Sequence, residues 1–200
     1  MALRVLGRKS SINVRKVLWT CAELDLHFEH VEADKQLLAR NPSRQVPVIQ
    51  DGDFVLWESN AICRYLAASQ PRSTLLPADA HARALVEQWM DWQATDLNTA
   101  WRYAFLGLVR KSRTHTDPEA IATSIESWNR HMRILDEHFA HGGQFVTGEF
   151  FTLADVVLGL STHRWLLTPM ERPHLDALHG YYQRLSVRPA FRAQVDPEVP

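Results

Sequence analysis

The chain has 200 residues, 46% apolar and 22% charged, with a formal net charge of −1 at pH 7. That balance belongs to a soluble globular protein of one large or two modest domains. It offers no global field to recruit nucleic acid or acidic lipid, and no apolar stretch approaches the length of a membrane span.

The opening MALRVLGRKSS holds too short an apolar segment for a secretory signal, so the expected location is cytoplasmic. Residues 3–6 predict a short strand. Residues 12–24 predict a helix, because Val14, Val17, Leu18 and Cys21 recur at i, i+3, i+4 and i+7. Residues 27–32 alternate weakly and read as a second strand, and 35–41 as a short helix or loop. Two more strands, 46–50 and 54–57, flank an Asp51-Gly52 turn, a strong hairpin signal. Pro47 sits near the start of the first of these. Proline has no N–H for a ladder and is confined to edges, first residues and bulges, so this position asks for an explanation. Residues 59–68 close the unit as a helix with Ile62 and Leu66 on one face. The order β-α-β-(α)-β-β-α, with the first two strands parallel and the last two antiparallel, predicts a thioredoxin-like α/β domain over 1–69.

Residues 70–78 carry two prolines and little periodicity, and read as a linker. Residues 79–200 read as an all-helical domain. Leu85, Trp89, Trp92, Trp101, Phe105 and Leu108 are spaced helically through 79–111. Pro118 opens a second pattern that Gly142-Gly143 stop. At 151–156, Thr152 and Asp155 have the spacing of a capping box, and Phe151 and Val156 that of a hydrophobic staple. The last helix is expected over 174–186. Cys21 and Cys63 form no paired motif and read as buried thiols, and the ten histidines are dispersed, so no metal site is expected.

An α/β unit followed by a helical unit resembles the cytosolic glutathione transferase superfamily, of the serine-type, theta-like bacterial kind. Three stretches carry the resemblance: QVPVIQDGDFVLWESNAICRYL (45–66), SSINVRKV (10–17) and FTLADVVLG (151–159). The fold it implies is the α/β plus all-α arrangement above. The function it implies is activation of the glutathione thiol for attack on small hydrophobic electrophiles. No cofactor is implied beyond glutathione as co-substrate, and a homodimer is expected.

The resemblance also implies a site. Pro47 is expected in the cis form, with the N–H and C=O of Val46 facing the peptide backbone of glutathione. Ser59 at a helix start suits the γ-glutamyl carboxylate, and Glu58 the neighbouring ammonium. Arg44 or Gln45 is placed to reach the glycyl carboxylate, and Asp96 to reach across a dimer to the γ-glutamyl amine. Some classes activate the thiol with tyrosine or cysteine, but the first tyrosine here is Tyr65 and the first cysteine, Cys21, lies inside the first helix. A theta-like alignment assigns the role to Ser11, and a zeta-like double serine assigns it to Ser10. Asn13 either supports the thiolate or caps the helix. Trp101, Phe105 and Trp165, with Tyr103, are candidates for an electrophile pocket or for ordinary packing. Arg102 and Arg110 are placed either to meet an anionic co-substrate or, as the plainer reading, to face solvent. Two other functions remain open: a glutathione-dependent isomerase or dehalogenase, and a non-catalytic binding module of the same fold.

Overall fold

The computed structural model describes residues 2–70, 73–195 and 198–200. Its elements are β1 (Leu3–Leu6), α1 (Ile12–Glu23), β2 (Phe28–Val31), α2 (Lys35–Ala39), β3 (Val48–Asp51), β4 (Phe54–Trp57) and α3 (Ser59–Ala68). Then follow α4 (Ala80–Trp92), α5 (Asn98–Leu108), α6 (Pro118–Ala140), α7 (Leu153–Leu167), α8 (Asp176–Ser186) and α9 (Pro189–Gln194). Of the predicted linker, residues 71–72 lie outside the described residues.

The four strands form one mixed sheet in the order β2-β1-β3-β4. β1 and β2 are parallel, joined through α1, while β3 runs antiparallel to both β1 and β4. Together with the helical C-terminal part this is the expected α/β plus all-α architecture. Three boundaries differ from the sequence reading. The third strand begins at Val48 rather than 46, because Pro47 cannot donate to a ladder. The hairpin turn is Gly52-Asp53 rather than Asp51-Gly52, since Asp51 pairs with Phe54 and Gly52 takes φ +61°. A glycine at the first central position of a two-residue loop is the type II′ arrangement. Finally, 174–186 does not hold the last helix: α9 follows, opened by Pro189 at its first turn.

The two parts share one core. Trp19 on α1 is fully buried and packs against Phe151 and Phe191, at ring centroid distances of 5.5 and 5.0 Å. α7 is buried on nearly every face, from Leu153 to Trp165. Its start carries the predicted cap. The Thr152 N–H donates to Asp155 Oδ2 at 2.8 Å, and the Asp155 N–H returns to the Thr152 carbonyl at 3.0 Å. Asp155 also accepts from the Val146 N–H at 2.9 Å and from the Tyr181 hydroxyl at 3.2 Å. One carboxylate thus ties the loop before α7 to α8. α4 and α5 are continuous through a π-helical turn, Gln93–Leu97, an insertion the periodicity of the aromatic residues does not reveal.

Candidate active site

Three segments meet at one end of the sheet, where Leu6, Val48 and Trp57 pair side by side. The first is the loop after β1. Gly7 takes φ +139° and donates its N–H to the Val31 carbonyl at 2.8 Å, which turns the chain toward α1. The Ser11 N–H donates to the Arg8 carbonyl at 3.0 Å, and the Ser11 carbonyl accepts from the Arg15 N–H at 3.0 Å. Ser11 is therefore the N-cap of α1, in extended conformation, yet its hydroxyl makes no capping hydrogen bond. A half-buried hydroxyl is left at the positive end of a 12-residue helix. Asn13 is half-buried in the first turn beside it. Ser10 differs: its carbonyl accepts from the Arg110 guanidinium at 2.8 Å.

Gly7 leaves no room for a side chain. A Cβ there would lie 2.4 Å from Val14 Cγ2 and 2.9 Å from Val46 Cβ. Gly7→Ala is expected to cost about 2 kcal/mol or more, from overpacking and from the positive φ together. Urea unfolding of the variant checks this. A loss below about 0.5 kcal/mol would show that Val14 and Val46 yield freely.

The second segment is the approach to β3. Asn41, which sequence reasoning did not single out, is 3% exposed and organises the loop. Its side chain accepts from the Ser43 N–H at 2.9 Å and donates to the Gln45 carbonyl at 2.8 Å. Arg44 (φ +48°) and Gln45 are exposed just before the strand. The Val46-Pro47 peptide is cis. Among the described residues, no hydrogen bond engages the N–H or C=O of Val46.

The third segment is the start of α3. Glu58 is exposed and takes φ +72°, ψ 111°, a sparsely populated conformation for a residue with a side chain. Such outliers cluster at ligand sites. Glu58 is the N-cap, and the buried Ser59 is the first helical residue, so Ser59 does not serve as the cap itself. The N–H groups of this helix start lie at the same end of the sheet as Val46 and suit an anion.

A buried lysine joins these segments to the helical part. Lys16, 1% exposed, donates to Gln93 Oε1 at 2.6 Å and to Asn60 Oδ1 at 3.3 Å. Gln93 lies in the π-helical turn and Asn60 in the first turn of α3, so the insertion supplies the acceptor that Lys16 needs. Burial lowers the Lys16 pKa from 10.5 to about 8. Between those two values the unfolded chain holds a proton that the folded chain has released, so stability rises with pH across that window. The rise is bounded by about 3 kcal/mol. Lys16→Met is expected to flatten the curve, read as urea midpoints from about pH 7.5 to 9.5. Equal slopes in both proteins would contradict the assignment.

The remaining predicted residues divide. Asp96 is exposed, on the outer side of the π-helical turn, where it accepts from the Thr95 hydroxyl at 3.2 Å. Trp101, Phe105 and Trp165 are 9, 3 and 0% exposed, which fits packing rather than an open pocket wall. Trp165 donates its indole N–H to Asn129 Oδ1 at 2.9 Å. Trp101 and Phe105 meet edge to face at 5.4 Å and carry the Arg164 guanidinium on their faces. A cleft of about 510 Å³ lined by Glu23, Gln70, Phe151 and Arg188 lies at the opposite end of α1 from Ser11. Beside Ser10 is a smaller cavity of about 290 Å³, lined also by Lys9, Arg15, Arg192 and Val199. Cys21 and Cys63 are buried, with thiol pKa values pushed up to about 12 and about 11, mainly by burial. Neither is a nucleophile at neutral pH.

Comparison with known proteins agrees with this geometry. The model of the family described as glutathione S-transferase, N-terminal domain, matches residues 1–68. Glutathione S-transferase GstB of Escherichia coli (strain K12) is 37% identical over 202 residues, covering 94% of this chain and 95% of its own. Glutathione S-transferase 3 of Zea mays is 32% identical, covering 96% and 93%. The crystal structure of the theta class glutathione S-transferase from the citrus canker pathogen Xanthomonas axonopodis pv. citri, with glutathione bound, superposes with a TM-score of 0.89 at 36% identity, over 97% of each chain.

Proposed function

From the premise that this chain belongs to the glutathione S-transferase family, we propose that it binds glutathione across the end of the sheet where Val46, Pro47, Glu58 and Ser59 lie and activates its thiol at Ser11. The observation that carries this reading is the conjunction at that end of the sheet. Val46 offers an unused backbone N–H and C=O, Ser59 opens a helix, and the Ser11 hydroxyl is uncommitted at the start of another. The Val46 groups pair with the cysteinyl backbone as an added strand does. The α3 N–H groups and Ser59 take the γ-glutamyl carboxylate, Glu58 takes the ammonium, and Arg44 or Gln45 takes the glycyl carboxylate.

A free thiol ionises near pH 8.5, and a helix N-terminus with a hydroxyl donor lowers that value. Ser11 donates to the sulfur and so favours the thiolate over the thiol. Asn13 supports it from the first turn. Ser10 is the less suited of the two serines, because Ser11 rather than Ser10 is the N-cap at the start of α1. With the thiolate held, positioning a small electrophile beside it supplies most of the remaining acceleration. The same reading takes the protein as a cytoplasmic homodimer, with Asp96 reaching glutathione on the second copy. Among the described residues no helix is long and apolar enough to cross a membrane.

Calorimetric titration with glutathione tests the binding part. Saturable binding at submillimolar to millimolar concentration is expected, weakened about tenfold or more in Ser59→Ala. No heat of binding in the wild type, or equal affinity in Ser59→Ala, would contradict it.

A further inference from the structure

We propose that Lys16 is a positioning residue for glutathione: its buried charge, anchored to Asn60, strengthens the hold of the α3 start on the γ-glutamyl carboxylate. The proposal rests on the glutathione reading above and adds a residue that does not itself touch the ligand.

An ammonium is strongly hydrated, and lysine is almost never fully buried unless it is paired. Lys16 is buried, and its two partners are amides: Gln93 Oε1 at 2.6 Å and Asn60 Oδ1 at 3.3 Å. Among the described residues no ion pair includes it. Amide oxygens satisfy its N–H groups but cancel no charge. A buried cation without a counter-ion is unfavourable. Packing gives no reason for it, since a methionine has similar length and no charge.

The surrounding groups show where that charge acts. Glu58 and Cys63, at the start and middle of α3, favour the charged form of Lys16, and Arg164 on α7 opposes it. Cys63 stays a neutral thiol at neutral pH, with a pKa of about 11. Toward α4, Asp91 is already paired with Arg64 at 2.6 Å, and Asp96 is exposed and bonded to Thr95. Glu58 is the residue assigned above to the γ-glutamyl ammonium. The field of Lys16 therefore reaches the start of α3, and a poorly screened interior charge acts well beyond hydrogen-bond distance.

Asn60 makes the link mechanical as well. Its Oδ1 accepts from Lys16, and its Nδ2 donates to the Met90 carbonyl at 3.1 Å. The Ile62 N–H donates to the Glu58 carbonyl at 2.9 Å, which begins the ladder of α3. The N–H groups of Ser59, Asn60 and Ala61 precede that bond and have no acceptor within the helix. With its side chain pinned inward, Asn60 holds this turn in place for an anion. Gln93 also donates to Asn98 Oδ1 at 2.9 Å, so the π-helical turn fixes the lysine from the other side. Burial lowers the Lys16 pKa to about 8, so the charge is present at neutral pH and is lost above that value.

S-methylglutathione and its analogue with 4-aminobutyrate in place of the γ-glutamyl residue differ chiefly in the α-carboxylate, and neither has a thiol to titrate. At about pH 6.5, calorimetry is expected to show the wild type preferring S-methylglutathione by about tenfold or more. Lys16→Met, which removes a buried charge and is expected to fold, should reduce that preference about threefold or more. Gln93→Glu, which keeps an acceptor for Lys16 but neutralises its charge, should reduce it similarly. At about pH 9 the wild type and Lys16→Met should differ less than about twofold, because the wild-type lysine has then released its proton. In turnover, Lys16→Met should raise the KM for glutathione about threefold or more and leave kcat within about twofold, since Ser11 is untouched. A wild-type preference at or below one, or a preference unchanged in both variants, overturns the proposal. Equal loss of affinity for both ligands in Lys16→Met, with the preference intact, also overturns it by leaving Lys16 a packing role alone. So does a difference between wild type and Lys16→Met that is as large at the higher pH as at the lower. Absence of any S-methylglutathione or glutathione binding by the wild type is a different result and removes the functional reading beneath it.

Discussion

Asp155→Ala is expected to lower stability by about 3–5 kcal/mol, the largest single effect at any residue outside the site. The side chain is fully buried. Removing it strands the N–H groups of Val146 and Thr152 and the hydroxyls of Thr152 and Tyr181, all four of which now donate to its two oxygens. Each buried donor left unpaired costs about 1–3 kcal/mol, less where water reaches it. For a chain of this size the loss corresponds to a fall of roughly 6–20 °C in Tm. Asp155→Asn keeps one acceptor oxygen but turns an amide N–H₂ toward the remaining donors, so an intermediate loss is expected. The two variants also separate packing from charge. Burial outweighs the four donors and raises the Asp155 pKa from 3.8 to about 6. The folded state then binds the extra proton between those values. The associated stability is present below about pH 4 and is lost as pH rises through about 6. Asp155→Asn should flatten that part of the stability curve. Scanning calorimetry of both variants from about pH 4 to 7 reads the two effects, and a change in Tm under about 2 °C for Asp155→Ala would contradict the structural role.

Ser11→Ala is expected to reduce kcat/KM by about 10²-fold, with the affinity for glutathione changed less than about threefold. The loss is that of one hydrogen-bond donor aimed at a developing or resident anion. The binding groups at Val46 and α3 are untouched, which is why the effect should appear in turnover. Ser10→Ala should cost less than about threefold, because the Arg110 contact is to the Ser10 backbone carbonyl and survives the substitution. Steady-state kinetics on a neutral electrophile such as iodoacetamide separates the two serines. A large loss in Ser10→Ala and none in Ser11→Ala would reverse the assignment.

Much of the α/β unit is legible in the sequence because its signals are local. The apolar run Phe54–Trp57, the glycine at 52 and the apolar face of Ser59–Ala68 each fix an element within a few residues. The capping box at Thr152 and Asp155 is equally local. What escaped is long-range or conformational. Asn41 does its work through contacts to Ser43 and Gln45 that only the folded loop creates. The positive φ of Glu58 has no compositional trace, since glutamate is not a residue that usually adopts it. Lys16 and Arg164 look like surface charges in a linear chain, and only the packing of α1 against α3 and of α7 against α5 buries them. Arg110, open to solvent or to an anionic co-substrate on the sequence, is exposed and also holds the loop that carries both serines. The aromatic residues left two readings open, because large rings both line pockets and fill cores; Trp101, Phe105 and Trp165 are all buried, which accords with packing.

The ionisation of bound glutathione tests the central claim most directly. Ultraviolet difference absorbance of the thiolate, titrated against pH in the saturated complex, is expected to give a midpoint at least about one unit below the free thiol value of about 8.5, and that displacement should vanish in Ser11→Ala. A midpoint at the free value in the wild type, or a lowered one that persists without the Ser11 hydroxyl, would contradict it.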